Sequence, residues 1–282
     1  MRRMFIVHLG VLLLSTVLAA ASAMEGLPEA SETNRSQAIR SSEEGMSITT
    51  AEGIVLEGLI AQPALDGPQG ADTTHPIVIL VHEFGRDRDS LRKLTDAFLR
   101  AGVAVALFDQ RGHGASRIRK VDRREYIYTF PVIPSEEFKL AVEDMRLLLD
   151  SLDTVSGIDA ERTAIVGVRE GALVAAQAAG RFPEIDALVL IDTVVSTKGL
   201  DAARGLSRYG GRPALLVHSA FPSSIEISRA LADYGTGERT LRRIDKYESG
   251  HLLFADDAES LAWITAWVGD KLEMKTKKAS RR

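Results

Sequence analysis

The chain contains no cysteine among its 282 residues. This absence excludes disulfide bonds, a thiolate nucleophile, thiolate ligation of zinc and a lipid-modified cysteine at an export cleavage site. The six histidines show no pair at a metal-binding spacing such as H-E-x-x-H. The sequence therefore predicts no metal site, and nothing in it calls for a cofactor.

An excess of basic residues is missing as well. The 35 Lys and Arg residues are outnumbered by 39 Asp and Glu residues, so the formal net charge is −4. Without a basic face, nucleic acid is not an expected partner. The 45% hydrophobic and 26% charged content is that of an ordinary globular protein, and the length suits one α/β domain.

The N-terminus has the pattern of an export signal. Arg2 and Arg3 precede an apolar run from Met4 to Ala20, and the small-x-small sequence Ala-Ser-Ala follows at residues 21–23. We predict a signal peptide over residues 1–23, cleaved after Ala23, and a periplasmic or secreted protein with no membrane span after cleavage. The alternative is an uncleaved anchor helix, for which the apolar run is short compared with the roughly 20 residues of a typical span.

The two ends of the mature chain differ from its body. Residues 24–45 are polar and aperiodic, which predicts a flexible linker. Residues 271–282 hold six Lys and Arg residues, which predicts a solvated basic tail, with weak contact to an anionic membrane surface as the alternative. The domain is expected between these segments, over residues 46–270.

Strands and helices are predicted to alternate through this domain. Continuous apolar runs such as Pro76–Val81 and Thr163–Val168 are typical of buried parallel strands. Further strands are expected over Met46–Thr50, Ile54–Ala61, Val103–Phe108, Ala187–Ile191, Pro213–His218 and Arg239–Ile244. This βα alternation predicts an α/β fold with a mainly parallel eight-stranded sheet, helices on both faces and no large cap.

Four local motifs occur in an order that points to a family. They are ILVHEFGRDRDSLRKL (Ile79–Leu94), VALFDQRGHGAS (Val105–Ser116), AIVGVREGALVAAQAA (Ala164–Ala179) and GHLLF (Gly250–Phe254). In this combination the chain, from Met46 to Val268, resembles the cap-less, dienelactone-hydrolase-like branch of the α/β-hydrolase superfamily. The resemblance implies a Ser-His-Asp site at the carboxyl ends of the strands.

The nucleophile position departs from the family pattern. The resemblance implies G-x-S-x-G at a sharp strand-to-helix turn, but residues 167–171 read Gly-Val-Arg-Glu-Gly. Arg169 cannot attack an acyl carbon, because its guanidinium stays protonated and has no free lone pair. Glu170 is a weak alternative nucleophile, since the family uses only the backbone N–H at that position.

The acid position departs from the pattern too. Phe221 and Pro222 stand in the loop where the resemblance implies an Asp, and Asp192, which ends a neighbouring strand, is the candidate for a displaced acid or simply a cap or ion pair. His251 is the one triad residue retained. Without partners it is expected to pack or to form hydrogen bonds.

Two turns complete the implied site. The resemblance implies that a backbone N–H of Glu83 or Phe84 lines an oxyanion hole, although the same turn can serve simply to join strand and helix. The turn from Asp109 to Gly114 is interpreted as structural, with His113 not catalytic.

Two functions remain open at this stage. The first is a non-catalytic hydrolase-fold protein, whose Arg169 is balanced by Glu83, Glu170 or Asp192, or binds a small anionic ligand. The second is a divergent ester hydrolase that uses His251 with rearranged partners.

Overall fold

A computed structural model describes residues 41–63, 74–130 and 132–279. The predicted signal peptide and most of the predicted linker lie outside these residues. Twelve strands are present in the described chain: β1 (Ser41–Thr49), β2 (Ile54–Pro63), β3 (His75–Val81), β4 (Ala104–Phe108), β5 (Ile118–Val121), β6 (Arg124–Ile127), β7 (Ile158–Val168), β8 (Ile185–Ile191), β9 (Ser196–Thr197), β10 (Leu200–Asp201), β11 (Ala214–His218) and β12 (Arg239–Arg243).

Helices connect most of these strands. The α-helices are α1 (Arg92–Arg100), α2 (Ser135–Phe138), α3 (Ala141–Leu152), α4 (Glu170–Arg181), α5 (Ala202–Tyr209), α6 (Pro222–Ala232) and α7 (Ala258–Ala279). Short 3₁₀ helices span Arg88–Leu91 and Gly250–Phe254. Within the described residues, no helix combines the length and the apolar character that crossing a membrane requires.

One sheet organises the domain. Its strand order is β12-β11-β8-β7-β3-β4-β2-β5-β6, and β1 pairs with β2 along its whole length. The five pairings from β12 to β4 are parallel, whereas β2 runs antiparallel to β1, β4 and β5. The predicted α/β fold with a mainly parallel sheet is confirmed. The sheet gains two strands beyond the expected eight, because β5 and β6 form an additional hairpin.

A separate apolar core lies on each face of the sheet. Side chains from α3, α4 and α5 pack on one face, for example Leu148, Leu173 and Leu206, all almost fully buried. Side chains from α1 and α7 pack on the other, among them Phe98 and Ile264. Helices therefore cover both faces, as the continuous apolar character of the central strands requires.

Several predicted boundaries are wrong. β1 begins at Ser41, so residues 41–45 belong to the sheet and not to a flexible linker. α7 continues to Ala279, so the domain does not end at residue 270. Lys271 pairs with Glu238 at 2.9 Å and Leu272 is fully buried, which makes the start of the predicted tail part of the packed helix.

Other elements differ from the expectation in their internal organisation. The segment Ser135–Leu152 forms two helices, α2 and α3, which are separated by Lys139 and Leu140. Helix α5 was not predicted, although Asp201 accepts a hydrogen bond from the backbone N–H of Arg204 at 2.7 Å as an N-cap.

Candidate functional site

The residues implied by the sequence converge at the carboxyl ends of the parallel strands. β3 leads to Glu83, β7 to Arg169 and β8 to Asp192, and the 3₁₀ turn before α7 supplies His251. In open parallel sheets this edge is where ligands and reactive groups gather, because loops from adjacent strands meet there. The candidate site is therefore built from four separate segments of the chain.

The turn at Arg169 keeps the geometry of a nucleophile elbow. Arg169 has φ 49° and ψ −113°, a conformation that is strained for any residue with a Cβ and costs on the order of 1–3 kcal/mol. The flanking glycines are needed, since a Cβ at Gly167 would overlap the backbone of Ala172 and a Cβ at Gly171 would overlap the carbonyls of Val81 and His82. The turn thus has the sharp geometry of an elbow, with Arg169 at its tip.

Three carboxylates surround the Arg169 guanidinium. Its Nη1 donates to Asp192 Oδ2 at 3.2 Å, its Nη2 lies 3.8 Å from Glu170 Oε1, and its Nε lies 3.9 Å from Glu83 Oε2. A cation at the start of a helix is disfavoured by the partial positive charge of the helix N-terminus. Nearby carboxylates offset that cost, so the positive charge is balanced within the protein.

Asp192 is the most extensively bonded of these carboxylates. Its side chain is only 5% exposed. Besides Arg169 it accepts hydrogen bonds from the backbone N–H of Gly250 at 3.0 Å, from Ser224 Oγ at 2.7 Å and from Ser219 Oγ at 3.2 Å. Asp192 therefore joins the elbow to the acid loop and to the histidine loop. These bonds differ from those of a displaced acid, which would bind the ring of His251.

The ring of His251 pairs with Glu83 instead. His251 Nδ1 forms a close contact with Glu83 Oε1, and the Glu83 side chain is 10% exposed. A Cβ on residue 250 would collide with Glu83 Oε2, so Gly250 makes room for this carboxylate. Glu83 consequently lies against both Arg169 and His251, the two residues at the nucleophile and base positions.

Hydrogen bonds of the His82 ring stabilise the turn that carries Glu83. Its Nδ1–H donates to the carbonyl of Glu83 at 2.8 Å, and its Nε2 accepts the backbone N–H of Gln110 at 3.0 Å. Burial lowers the pKa of His82 to about 4. The ring is therefore neutral at physiological pH, and it links the β3 turn to the β4 turn.

Phe84 and His113 belong to an aromatic cluster beside the site. The Phe84 ring lies 4.5 Å from Phe138, and the His113 ring stacks at 4.8 Å on Phe130. The pKa of His113 is lowered by burial. His113 is thus packed among rings in the turn that the sequence analysis interpreted as structural.

The same turn contributes a buried ion pair. Arg111 Nε and Nη2 donate to the two carboxylate oxygens of Asp144 at 2.7 and 2.5 Å, with both side chains almost fully buried. Such a two-bond pair fixes orientation as well as charge. It attaches the β4 turn to α3.

Phe221 and Pro222 begin a helix where the family has its acid. Pro222 is the first residue of α6, a position that favours proline. Phe221 is 39% exposed and its ring meets Tyr247 edge-on at 5.6 Å. This loop therefore supplies a helix start and an exposed ring, and its bonds to the site come from Ser219 and Ser224.

Sequence reasoning missed two features of this arrangement. Ser219 and Ser224 had no recognisable signal, because serines in a loop are common and their bonds to Asp192 depend on the tertiary fold. Glu83 was considered for the oxyanion turn and as a counter-charge, but its pairing with His251 spans 168 residues of sequence. The sequence signal that could have indicated an ion cluster here was a carboxylate in the β3 turn together with an arginine at the elbow.

Comparisons with known proteins identify the family and the fold of the chain. The family model described as serine aminopeptidase, S33, matches residues 72–253, which is more than half of the chain. A comparison with curated proteins finds no match.

Solved structures of similar fold are numerous, and the three described next share 13–17% sequence identity with this chain. The α/β hydrolase GrgF from Penicillium sp. sh18 has a TM-score of 0.66 at 13% identity, covering 82% of this chain and 99% of that one. A cold-adapted esterase from an Arctic intertidal metagenomic library gives 0.61 at 16%, covering 82% and 94%. Dienelactone hydrolase from Anabaena variabilis gives 0.55 at 17%, covering 83% and 98%.

These likenesses establish the fold, and the family model establishes descent. The superfamily resemblance inferred from the motifs is confirmed. The chain belongs to the serine aminopeptidase, S33, family of α/β hydrolases.

Proposed function

We propose that this chain is a hydrolase-fold protein that does not carry out acyl-enzyme chemistry, and that its strand-end site is a structural ion cluster. The observation that carries the proposal is Arg169 at the elbow, with its guanidinium 3.2 Å from Asp192. Acyl transfer needs a nucleophile with a free lone pair at that point, and guanidinium has none.

The position of Glu83 gives the proposal independent support. A substrate carbonyl would have to enter between the elbow and the histidine, where the Glu83 carboxylate already contacts both Arg169 and His251. Glu83 acts there as a built-in anion. A small anionic ligand, which the sequence analysis raised as a partner, would have to displace it.

Covalent labelling tests this proposal. Purified protein is incubated with a fluorophosphonate and, separately, with an activated ester, and its intact mass is measured. The proposal predicts an unchanged mass with both reagents. An adduct on the chain that is lost in His251→Ala would overturn it.

A second candidate function is ester hydrolysis through a rearranged site. The pair formed by His251 Nδ1 and Glu83 favours it, because a carboxylate on Nδ1 fixes the orientation and the tautomer of an imidazole. Nε2 of His251 has no hydrogen-bond partner in the described part of the chain and could accept a proton from water. This function predicts turnover of a simple ester that both His251→Ala and Glu83→Gln abolish, and covalent labelling would remain negative.

Export is part of the proposal and rests on residues 1–23. Expression of the full chain in a bacterial host with a signal peptidase, followed by N-terminal sequencing of the product, tests it. We expect a mature protein that begins at Met24. A product that retains residues 1–23 in the membrane fraction would support the anchor alternative.

A further inference from the structure

The β5–β6 hairpin is the most exposed element of the sheet. Val121 to Ile127 are all exposed, and β6 is the last strand in the sheet order, so its outer edge has no strand neighbour among the described residues. Among the described residues, β5 pairs with β2 over only two residues, Ile54 and Val55, and the N–H of Lys120 adds a hydrogen bond to the carbonyl of Gly53 at 2.7 Å. The outer half of this hairpin contributes little to either apolar core.

Positive charge is concentrated on the hairpin. Residues 117–127 contain five Lys and Arg residues and two Asp and Glu residues, in a chain whose formal net charge is −4. Lys120 pairs with Glu125 at 3.4 Å, and Arg119 lies 3.7 Å from Glu137. The other three arginines have no ion-pair partner in the part of the chain that the structure describes: Arg117, Arg123 and Arg124.

Apolar side chains are exposed beside these arginines. Ile127 is 83% exposed, Tyr126 48% and Val121 39%, and Val132, five residues beyond the hairpin, is 81% exposed. Contact of such large apolar side chains with water is unfavourable, and the cost is removed when another apolar surface covers them. A patch of this kind therefore indicates an interaction site. Here they lie within a few residues of Arg123 and Arg124, which have no ion-pair partner among the described residues.

A tight turn at the tip of the hairpin connects β5 and β6 and sets the register of their pairing. Asp122 and Arg123 both have positive φ, 49° and 64°, which is the two-residue turn that matches the twist of paired strands. The register pairs Ile118 with Ile127 and Val121 with Arg124. Arg123 accepts a backbone conformation that favours glycine, and its guanidinium is thereby presented at the tip.

We propose that the β5–β6 hairpin docks on an anionic lipid surface, with its arginines on headgroup phosphates and Tyr126 and Ile127 at the acyl boundary. Arginine binds phosphate oxygens through two parallel hydrogen bonds. Tyrosine is well suited to a membrane interface because its ring is amphipathic. Binding of this kind strengthens with both buried apolar area and attraction to anionic lipid.

The size of the hairpin favours a lipid surface over a protein partner. A stable protein interface uses about 20–30 residues on each side, and the exposed hairpin is far smaller. A membrane needs no matching shape, and each basic residue near an anionic leaflet increases partitioning by about fivefold.

Vesicle co-sedimentation of the chain from Met24 onward, which is the mature form expected after removal of residues 1–23, tests the proposal. Vesicles of phosphatidylcholine alone are compared with vesicles in which about one lipid in three is phosphatidylglycerol. We expect binding to the anionic vesicles only, weakened by about 25-fold in Arg123→Gln/Arg124→Gln and severalfold in Ile127→Ser. The matched control is Arg204→Gln/Arg208→Gln on α5, two exposed arginines of equal charge, which should bind within about twofold of the unmodified chain.

Three results would overturn the proposal. The first is equal loss of binding in the hairpin and α5 variants, which would indicate net charge alone. The second is absence of binding to the anionic vesicles. The third is a dimer in sedimentation velocity that Ile127→Ser dissociates, which would assign the hairpin to a second copy of the chain. Unchanged melting temperatures of the variants exclude unfolding as the cause, since all substituted side chains are exposed.

Discussion

Arg169 and Asp192 form an ion pair at 3.2 Å between the elbow after β7 and the end of β8. Asp192 also accepts the N–H of Gly250, so this carboxylate connects the nucleophile position to the loop that carries His251. Direct bonds hold these segments to one another.

Coupling between Arg169 and Asp192 follows from that pair. Arg169→Met leaves a 5% exposed carboxylate without its cation, and Asp192→Asn removes the charge that balances the guanidinium. We expect each change to lower the free energy of unfolding by about 1–3 kcal/mol, discounted for the partial exposure of Arg169, and the double variant to lose less than their sum. Urea unfolding of all four proteins measures the coupling.

Arg86 offers a matched control for this cycle. It also lies near Glu83, at 3.7 Å, but its side chain is 56% exposed. Arg86→Met should change the free energy of unfolding by less than about 0.5 kcal/mol. Additive losses in the Arg169 and Asp192 variants would contradict the ion-pair assignment.

Removal of Glu83 should create a binding site for small carboxylates. Glu83→Ala deletes the anion that contacts Arg169 and His251, leaving space lined by two hydrogen-bond donors. We expect a lower melting temperature that formate or acetate partly restores, with a larger upward shift than in the unmodified chain. Differential scanning fluorimetry against sodium chloride of equal ionic strength measures this.

The corresponding change at Glu170 serves as the comparison. Its carboxylate lies 3.8 Å from Arg169 and has no contact with His251 among the described bonds. Glu170→Ala should show little restoration by formate. If both variants respond equally, then Glu83 does not occupy a defined anion position.

Stability should depend on pH through His82. Its pKa is about 4 in the folded chain, because of burial, against an ordinary value of 6.5. The unfolded chain therefore binds more protons between these values, so stability is full above pH 6.5 and falls as the pH drops toward 4. The slope from His82 is at most about 1.4 kcal/mol per pH unit.

Unfolding by urea between pH 7.5 and 5 measures this slope. His82→Gln removes the titrating group and should flatten the profile in that range, even if its stability at neutral pH is lower. His113, whose pKa is lowered for the same reason, adds a slope of the same sign. An unchanged profile in His82→Gln would show that the ring is not held neutral.

Removing one partner of the Arg111–Asp144 pair should lower the free energy of unfolding much more than replacing both residues with apolar ones. Asp144→Asn leaves a guanidinium that is 1% exposed with Glu52, at 3.8 Å, as its remaining carboxylate neighbour among the described residues, at an expected cost of about 3 kcal/mol. Replacing both residues, in Arg111→Met/Asp144→Leu, should restore most of that loss. Thermal unfolding of the two variants measures this difference. A double variant as unstable as Asp144→Asn would contradict the expected recovery of stability.

The sequence predicted the central sheet well because its strands are continuous apolar runs. Ile77 to Val81 are nearly fully buried, and a segment of this kind has few alternatives to a central parallel strand. The β5–β6 hairpin escaped prediction because its strands are only four residues long and half of their residues are charged. Its turn is Asp122-Arg123, without the glycine that usually marks such a turn.

Positions in the candidate site were predictable, and their pairings were not. Gly167 and Gly171 located the elbow in the sequence, since the close approach of α4 to β7 and to the β3 turn requires glycine at both. The contacts of Glu83 depend on where the β3 turn and the 3₁₀ turn meet in space. No local pattern reports such a distance.

If Arg169 and its carboxylates stand in place of an acyl-transfer site, then the protein should not hydrolyse a short-chain p-nitrophenyl ester. The unmodified chain is compared with His251→Ala and with buffer. We expect equal rates of ester hydrolysis with the unmodified chain, with His251→Ala and with buffer alone. A rate above buffer that His251→Ala abolishes would contradict it.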